Sequence, residues 1–194
     1  NQALTSAAIS RAAMTLTEAK TAALLDLGVG SLSSPTLATG TGTDQFCIAA
    51  PLKTDKCPIT WAGAHTKLGE LIGSSVYQAV KTAIQWQNGV DEKRCRSLFY
   101  QLKRFGFKPE DWESWLKPHV TEEEAQFFMA NKLAIEHDLN VSACVSSLCT
   151  LLDQERCGIV TTEYKQEYAK QLCALMVTQV ASKPENFKAT LDAF

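Results

Sequence analysis

The sequence has no long block of basic residues, and its formal net charge is −2. An electrostatic case for nucleic acid or an anionic membrane surface therefore has nothing to rest on. It has no apolar run near the ~18 residues that a membrane-spanning helix needs. It has no CxxC pair, so the usual spacing of a zinc or dithiol redox site is missing. Neither GxxxxGK[ST] nor GxGxxG occurs, which removes both common nucleotide fingerprints. Histidine is scarce, with three in the chain. Of these, His119 and His137 stand alone and read as surface or packing residues.

What is present suffices for a folded protein. The hydrophobic fraction is 45% and the length is 194 residues, enough for one large domain or two small ones. Seven cysteines make an odd set. Cys47, Cys144, Cys149 and Cys173 sit within apolar periodic segments, where a free thiol behaves as a small hydrophobe. This is the pattern of reduced core thiols in a cytosolic protein.

In chain order, residues 2–27 predict a helix rich in alanine, with Leu16, Ala19, Ala23 and Leu27 as its stripe. Gly28 and Gly30 end it. The apolar segment Gln45 to Ala50, bounded by Pro51, predicts a buried strand, and Ile59 to Trp61 a second, brief one. Thr66 to Gln87 follows the helical rule through Leu68, Leu71, Ile72, Ser75, Val76, Ala79, Val80, Ala83 and Ile84. Asn88-Gly89 stops it. From Asp91 onward the chain predicts helices alone. One runs to Phe105 and a short one carries Trp112 and Trp115. Another is opened by the Thr121/Glu124 capping box with a Val120–Ala125 staple, and another is capped by Asn140. A further helix has Tyr164, Tyr168, Leu172 and Leu175 on one side, and a last piece follows Pro184. The expected fold class is α+β, mostly helical. Residues 1–90 form a helix-strand-helix part of an incomplete α/β layer, and residues 91–194 a helical unit.

Three short blocks carry the unusual polar residues. In the first, Thr17, Glu18 and Thr21 share neighbouring faces of the first helix, and Lys20 points elsewhere on the same turn. They form either a polar site or a solvated face whose Thr17 hydroxyl bonds a backbone carbonyl. The second is Ala38-Thr39-Gly40-Thr41-Gly42-Thr43-Asp44. Its glycines permit positive φ or close approach to a ligand, and successive N–H groups of such a turn can cradle an anion. It is equally readable as a glycine-rich loop feeding a strand, with Asp44 as a turn carboxylate. The third block opens the second long helix. His65 lies at its first turn, where the macrodipole favours a neutral imidazole that could serve as base or ligand.

In this order the blocks Thr17-Glu18-Ala19-Lys20-Thr21-Ala22-Ala23-Leu24, Ala38 to Asp44 and His65-Thr66-Lys67-Leu68-Gly69-Glu70-Leu71-Ile72-Gly73, followed by Val76 and Ala79-Val80, resemble the adenosylcobinamide amidohydrolase family. The resemblance runs from about Ala3 to Val80. It implies a role in corrinoid salvage: hydrolysis of the amide joining the corrin to its aminopropanol arm, yielding adenosylcobyric acid. It covers the C-terminal part of the family domain. The implied partners are therefore adenosylcobinamide or a related corrinoid, together with an upstream segment or second subunit that completes the site.

Amide hydrolysis needs an activated water or nucleophile, an oxyanion stabiliser and an acid for the leaving amine. The candidates are Asp44 or Glu18 as base, His65 as proton donor, and the backbone from Gly40 to Thr43 as oxyanion donor. Thr17, Lys20, Thr39, Thr41, Thr43, Thr66 and Glu70 are candidate substrate contacts. A divalent metal on Glu18, Asp44 and His65 is a further option without a spacing signature. Two other classes remain: a corrinoid-binding module whose chemistry has decayed, and a helical interaction module formed by the residues after Gly89.

Overall fold

The computed structural model describes residues 2–180 and 186–193. The chain divides into two units, one of residues 1–33 and 37–90, the other of residues 34–36 and 91–194.

The first unit is a pair of long helices, α1 (Ser6–Asp26) and α2 (Lys67–Asn88), joined by a long loop. Thr5 caps α1, its side chain accepting from the Ala8 N–H, which satisfies an otherwise orphaned donor. Ala8, Ala12, Thr15 and Ala23 form the buried face of α1. Against it α2 turns Leu68, Ile72, Val76, Val80 and Ile84, which are half-buried. Small side chains on α1 and Gly73 on α2 let the helices approach closely. A Cβ on Gly73 would lie 3.9 Å from Thr15 Cγ2. Gly89 closes α2 in the left-handed region at φ 64°, where a residue without Cβ carries no steric penalty.

The α/β layer expected from the sequence is not there. No strand occurs among the described residues. Pairing is limited to two isolated bridges, Leu4 with Ile59 (parallel) and Gly30 with Leu37 (antiparallel). Ile59 thus reaches a single bridge rather than a strand, through Thr5 N–H to Ile59 O at 3.0 Å and Ile59 N–H to Ala3 O at 2.9 Å. Gln45 to Ala50 is irregular, with Phe46 54% exposed and Cys47 exposed. The physical reason is the missing neighbour. An extended segment becomes a strand only by pairing its N–H and C=O groups, and its apolar side chains count only when a second layer covers them. Leu71, Ser75, Ala79 and Ala83, expected in the α2 stripe, are also exposed, as is Trp86 at 84%. The α1 contact covers one flank of the apolar face and leaves the other open.

The second unit is helical. It contains α3 (Glu92–Arg96), α4 (Leu98–Leu102), α5 (Trp112–Leu116), α6 (Glu122–Ala130), α7 (Lys132–Glu136), α8 (Leu139–Arg156), α9 (Thr162–Val180) and α10 (Phe187–Asp192). Short 3-10 turns lie at Lys103–Phe105 and Pro109–Asp111. The single helix expected over 91–105 breaks at Ser97, which is extended (ψ 123°) and caps α4 through its hydroxyl. The capping box at Thr121 and Glu124 forms in full. Asp138 rather than Asn140 caps α8, accepting from the Asn140 and Val141 N–H groups. Both are good capping residues, and the one that is extended takes the position. On α9 the buried side carries Ala174 and Thr178, whereas Tyr164, Tyr168 and Leu175 of the expected stripe are exposed. Pro184, the expected lead-in to the last helical piece, lies outside the described residues.

Leu98, Phe99, Val141, Val145 and Cys149 form the core of this unit, with Leu102, Phe105, Phe107, Trp112, Ile135 and Met176 against it. Phe99 and Trp112 meet edge to face with centroids 4.9 Å apart, and Phe107 meets Trp115 at 4.6 Å, a favourable geometry for ring quadrupoles. All seven cysteines are free thiols. Cys144 and Cys149 are buried and Cys173 half-buried, as core hydrophobes, whereas Cys47 is outside because its strand does not form.

Candidate functional site

The threonine-glycine stretch folds back on itself around Asp44. The Thr41 N–H donates to Asp44 Oδ2 at 2.7 Å and the Thr41 hydroxyl to Oδ1 at 3.0 Å. The Asp44 N–H returns to Thr41 O at 3.4 Å. Lys20, on the C-terminal half of α1, reaches across and donates its ammonium to Asp44 Oδ2. One turn-residue away on the helix, the Thr21 hydroxyl donates to Thr39 O at 2.9 Å. Two of the sequence blocks, distant along the chain, are thus tied together by an ion pair and a hydrogen bond.

This arrangement explains one glycine and releases the other. Neither Gly40 nor Gly42 has the positive φ expected of one of them from the sequence; close packing is what the loop requires. A Cβ on Gly40 would stand 2.6 Å from Asp44 Oδ2 and 2.9 Å from Lys20 Nζ, so the ion pair packs onto that backbone. A Cβ on Gly42 meets nothing within 4 Å. Of the loop N–H groups considered as oxyanion donors, those of Thr41 and Thr43 are already taken. The Thr43 N–H donates to Thr41 Oγ1 at 3.3 Å. The Gly40 and Gly42 N–H groups have no hydrogen-bond partner among the described residues.

The Lys20 ammonium, with the Thr41 N–H beside it, holds the Asp44 carboxyl down to about 2. A carboxylate so stabilised is a firm anchor for a cation and a reluctant proton acceptor at neutral pH. The sign follows directly. The folded value lies below the ordinary 3.8, so the interaction is fully present above that value and is lost as pH falls through about 2. A carbon-detected NMR titration should find the Asp44 carboxylate still ionised at pH 3. An ordinary aspartate titration curve would show that the Lys20 pair does not form in solution.

The remaining candidates are more dispersed. Glu18 is exposed and pairs with Arg11 at 3.6 Å. The Thr17 hydroxyl donates to Ala13 O at 3.0 Å, one turn back on its own helix. His65 is exposed in the turn before α2. Thr66 is the N-cap: its hydroxyl donates to Gly63 O at 2.8 Å and accepts from the Gly69 N–H at 3.1 Å. Glu70 pairs with Lys67 at 2.8 Å. Among the described residues no three His, Cys, Asp or Glu side chains converge as a metal-binding group. Glu18, Asp44 and His65 therefore do not form one. No described helix is long and apolar enough to cross a membrane.

Two supports of this region escaped the sequence reading. The buried Thr15 hydroxyl donates to Ala62 O at 2.9 Å, and the Tyr77 hydroxyl donates to Asp26 Oδ2 at 2.8 Å. A threonine on an otherwise alanine-lined buried face was the available signal for the first.

Residues 1–92 match a family model described as adenosylcobinamide amidohydrolase, the family that the three blocks resemble. By that description it is a family of hydrolases. An uncharacterised protein of Methanocaldococcus jannaschii is 40% identical over 91 residues, which are 46% of this chain and 34% of that protein. The chain thus spans about a third of the length of the relative it matches. No solved structure matches it.

Proposed function

We propose that residues 1–92, which carry the adenosylcobinamide amidohydrolase match, hydrolyse the amide of adenosylcobinamide or a close corrinoid, releasing aminopropanol and adenosylcobyric acid. The observation that carries this reading is the coincidence of two facts. The family match falls on this unit, and within it two of the three resembling blocks meet at the Lys20–Asp44 pair. Water adds to the amide carbon, the carbonyl oxygen takes up negative charge, and the leaving amine must receive a proton.

In this reading Lys20 is the cation that meets the developing oxyanion, aided by the Gly40 and Gly42 N–H groups. Asp44 positions Lys20. The base falls to Glu18, since a carboxylate held at about 2 is too weak to draw a proton from water near neutrality. His65 is the proton donor to the amine. Thr39, Thr41, Thr43, Thr66 and Glu70 border the substrate. A metal on Glu18, Asp44 and His65 has no converging donor set to support it. Because the chain spans a third of its relative, a further segment or second subunit completing the site belongs to the same proposal.

The test is turnover of adenosylcobinamide by the whole chain, followed by separation of the corrinoid products. Lys20→Met should lower the rate by about 10² or more, the scale of a lost oxyanion contact. Its melting temperature should barely move, because an exposed ion pair contributes little to stability. Asp44→Asn should act in the same direction and less strongly. Near-normal turnover by folded Lys20→Met would remove that residue from the mechanism, and no adenosylcobyric acid under any metal condition would remove the reaction itself.

A further inference from the structure

The second unit lies outside the family match, and it contains a cavity of about 710 Å³ built from residues between Asp91 and His137. Sites for small organic ligands usually occupy roughly 300–1,000 Å³, so the space suits a molecule much larger than a lone inorganic ion. Its lining has two kinds of surface.

The first is cationic. Lys93, Arg94, Lys103 and Lys108 all line the cavity. Lys93, Lys103 and Lys108 enter no ion pair among the described residues. Three carboxylates also border it: Asp91, Glu110 and Glu136. Two of these already have partners. Asp91 accepts from the Arg94 N–H at 2.8 Å, and Glu136 accepts from the Ser97 hydroxyl. These neutral donors leave the carboxylates charged, so the lining sets four cations against three anions and its balance is positive by one.

The second surface is aromatic. Phe99, Tyr100 and Phe107 give it ring surface, Phe99 and Phe107 stacked on each other with centroids 5.7 Å apart, and Arg94 lies over the Tyr100 ring with its Cζ 5.7 Å from the centroid. Beside them is His137, whose Nε2 lies 3.8 Å from Glu136 Oε1. Its Nδ1 is buried with no hydrogen-bond partner among the described residues.

We infer that this cavity binds an aromatic phosphate ester, a planar body lying against the ring surface and a phosphoryl group among the lysines. Lysine ammonium groups act as point charges toward phosphate oxygens, and arginine adds directional donors. The inference does not depend on the amidohydrolase reading, since no residue of the first unit takes part.

Isothermal titration of the whole chain tests it with three probes: adenosine 5′-monophosphate, ribose 5-phosphate and adenosine. The nucleotide should bind most tightly, the sugar phosphate less, and the uncharged nucleoside least. The double variant Lys103→Gln/Lys108→Gln should weaken nucleotide binding by about tenfold or more, the scale of charge-assisted hydrogen bonds lost to an anion. Lys170→Gln, on α9, should leave it unchanged. Both variants are exposed substitutions, and a wild-type melting curve confirms that each is folded. Adenosine binding as tightly as its phosphate would overturn the anionic part, and ribose 5-phosphate binding as tightly as the nucleotide the aromatic part. No binding at millimolar nucleotide, or equal weakening by Lys170→Gln, would overturn the site.

Discussion

Gly69→Ala should lower the melting temperature of the first unit by about 10 °C or more, a loss of roughly 3 kcal/mol. Helix propensity alone argues the other way, since alanine is favoured over glycine inside a helix by about 1 kcal/mol. Sterics decide against it. A Cβ built on Gly69 falls 1.9 Å from Gly63 O and 2.8 Å from Ala62 O. Both obstacles are backbone, and neither can swing aside as a side chain would. To make room, Ala62 and Gly63 must retreat from the helix. That retreat pulls on the Thr66 hydroxyl bond to Gly63 O at 2.8 Å and the buried Thr15 bond to Ala62 O at 2.9 Å. Circular-dichroism melting of Gly69→Ala beside Gly42→Ala checks this. The second variant adds its methyl where nothing lies within 4 Å and should melt with the wild type. Equal melting of both variants would show that the close approach of Gly63 to α2 is not part of the folded state.

The second large effect is expected at Asp153. Arg104 donates to it through both guanidinium arms, at 2.7 Å to Oδ1 and 2.6 Å to Oδ2. The Arg104 side chain is only 8% exposed, and its guanidinium stacks over the Phe105 ring at 4.1 Å. The same arm donates to Pro35 O at 2.9 Å, within the same unit. Arg156 shares both acceptors, at 3.2 Å each. Asp153→Ala would leave a buried guanidinium without its counter-charge and a second cation beside it. Breaking one partner of such a pair costs about 3 kcal/mol, near the lower end of the usual range because Asp153 keeps some contact with water. Removing both charges is a different matter: Arg104→Met/Asp153→Leu deletes the desolvation cost together with the attraction. Urea denaturation should therefore find the double variant more stable than Asp153→Ala. Additive losses would show that the pair contributes as two independent surface charges.

The helices were readable where one face is fully apolar or a terminus has a single good stop. Gly89 after the Leu68 to Ile84 stripe is such a case, and so is the Thr121 capping box. Reading failed where two local solutions compete. Ser97 can ride inside a helix or cap a new one, and its hydroxyl settles the matter by accepting from the Tyr100 N–H at 3.3 Å. Asp138 and Asn140 are both capable caps. The Gln45 segment failed for another reason: a strand is a property of two segments, and the apolar pattern of one cannot show whether a second exists. At the candidate site, the sequence named Lys20 and Asp44 separately. Their pairing depends on where a loop with no period returns to α1, and no local pattern encodes that return.

The thiols, finally, divide by chemistry as well as by place. Burial raises Cys144 and Cys173, and pushes Cys149 up to about 11. The thiolate is the reactive species, so Cys149 holds almost none of it at neutral pH. Cys47, Cys57 and Cys157 lie exposed and are open to electrophiles at all times. The chain therefore carries its own clock. Alkylation of the outer three proceeds at the rate of the reagent, whereas alkylation of Cys149 waits on opening of the second unit and, once the reagent outpaces reclosing, reads that opening rate.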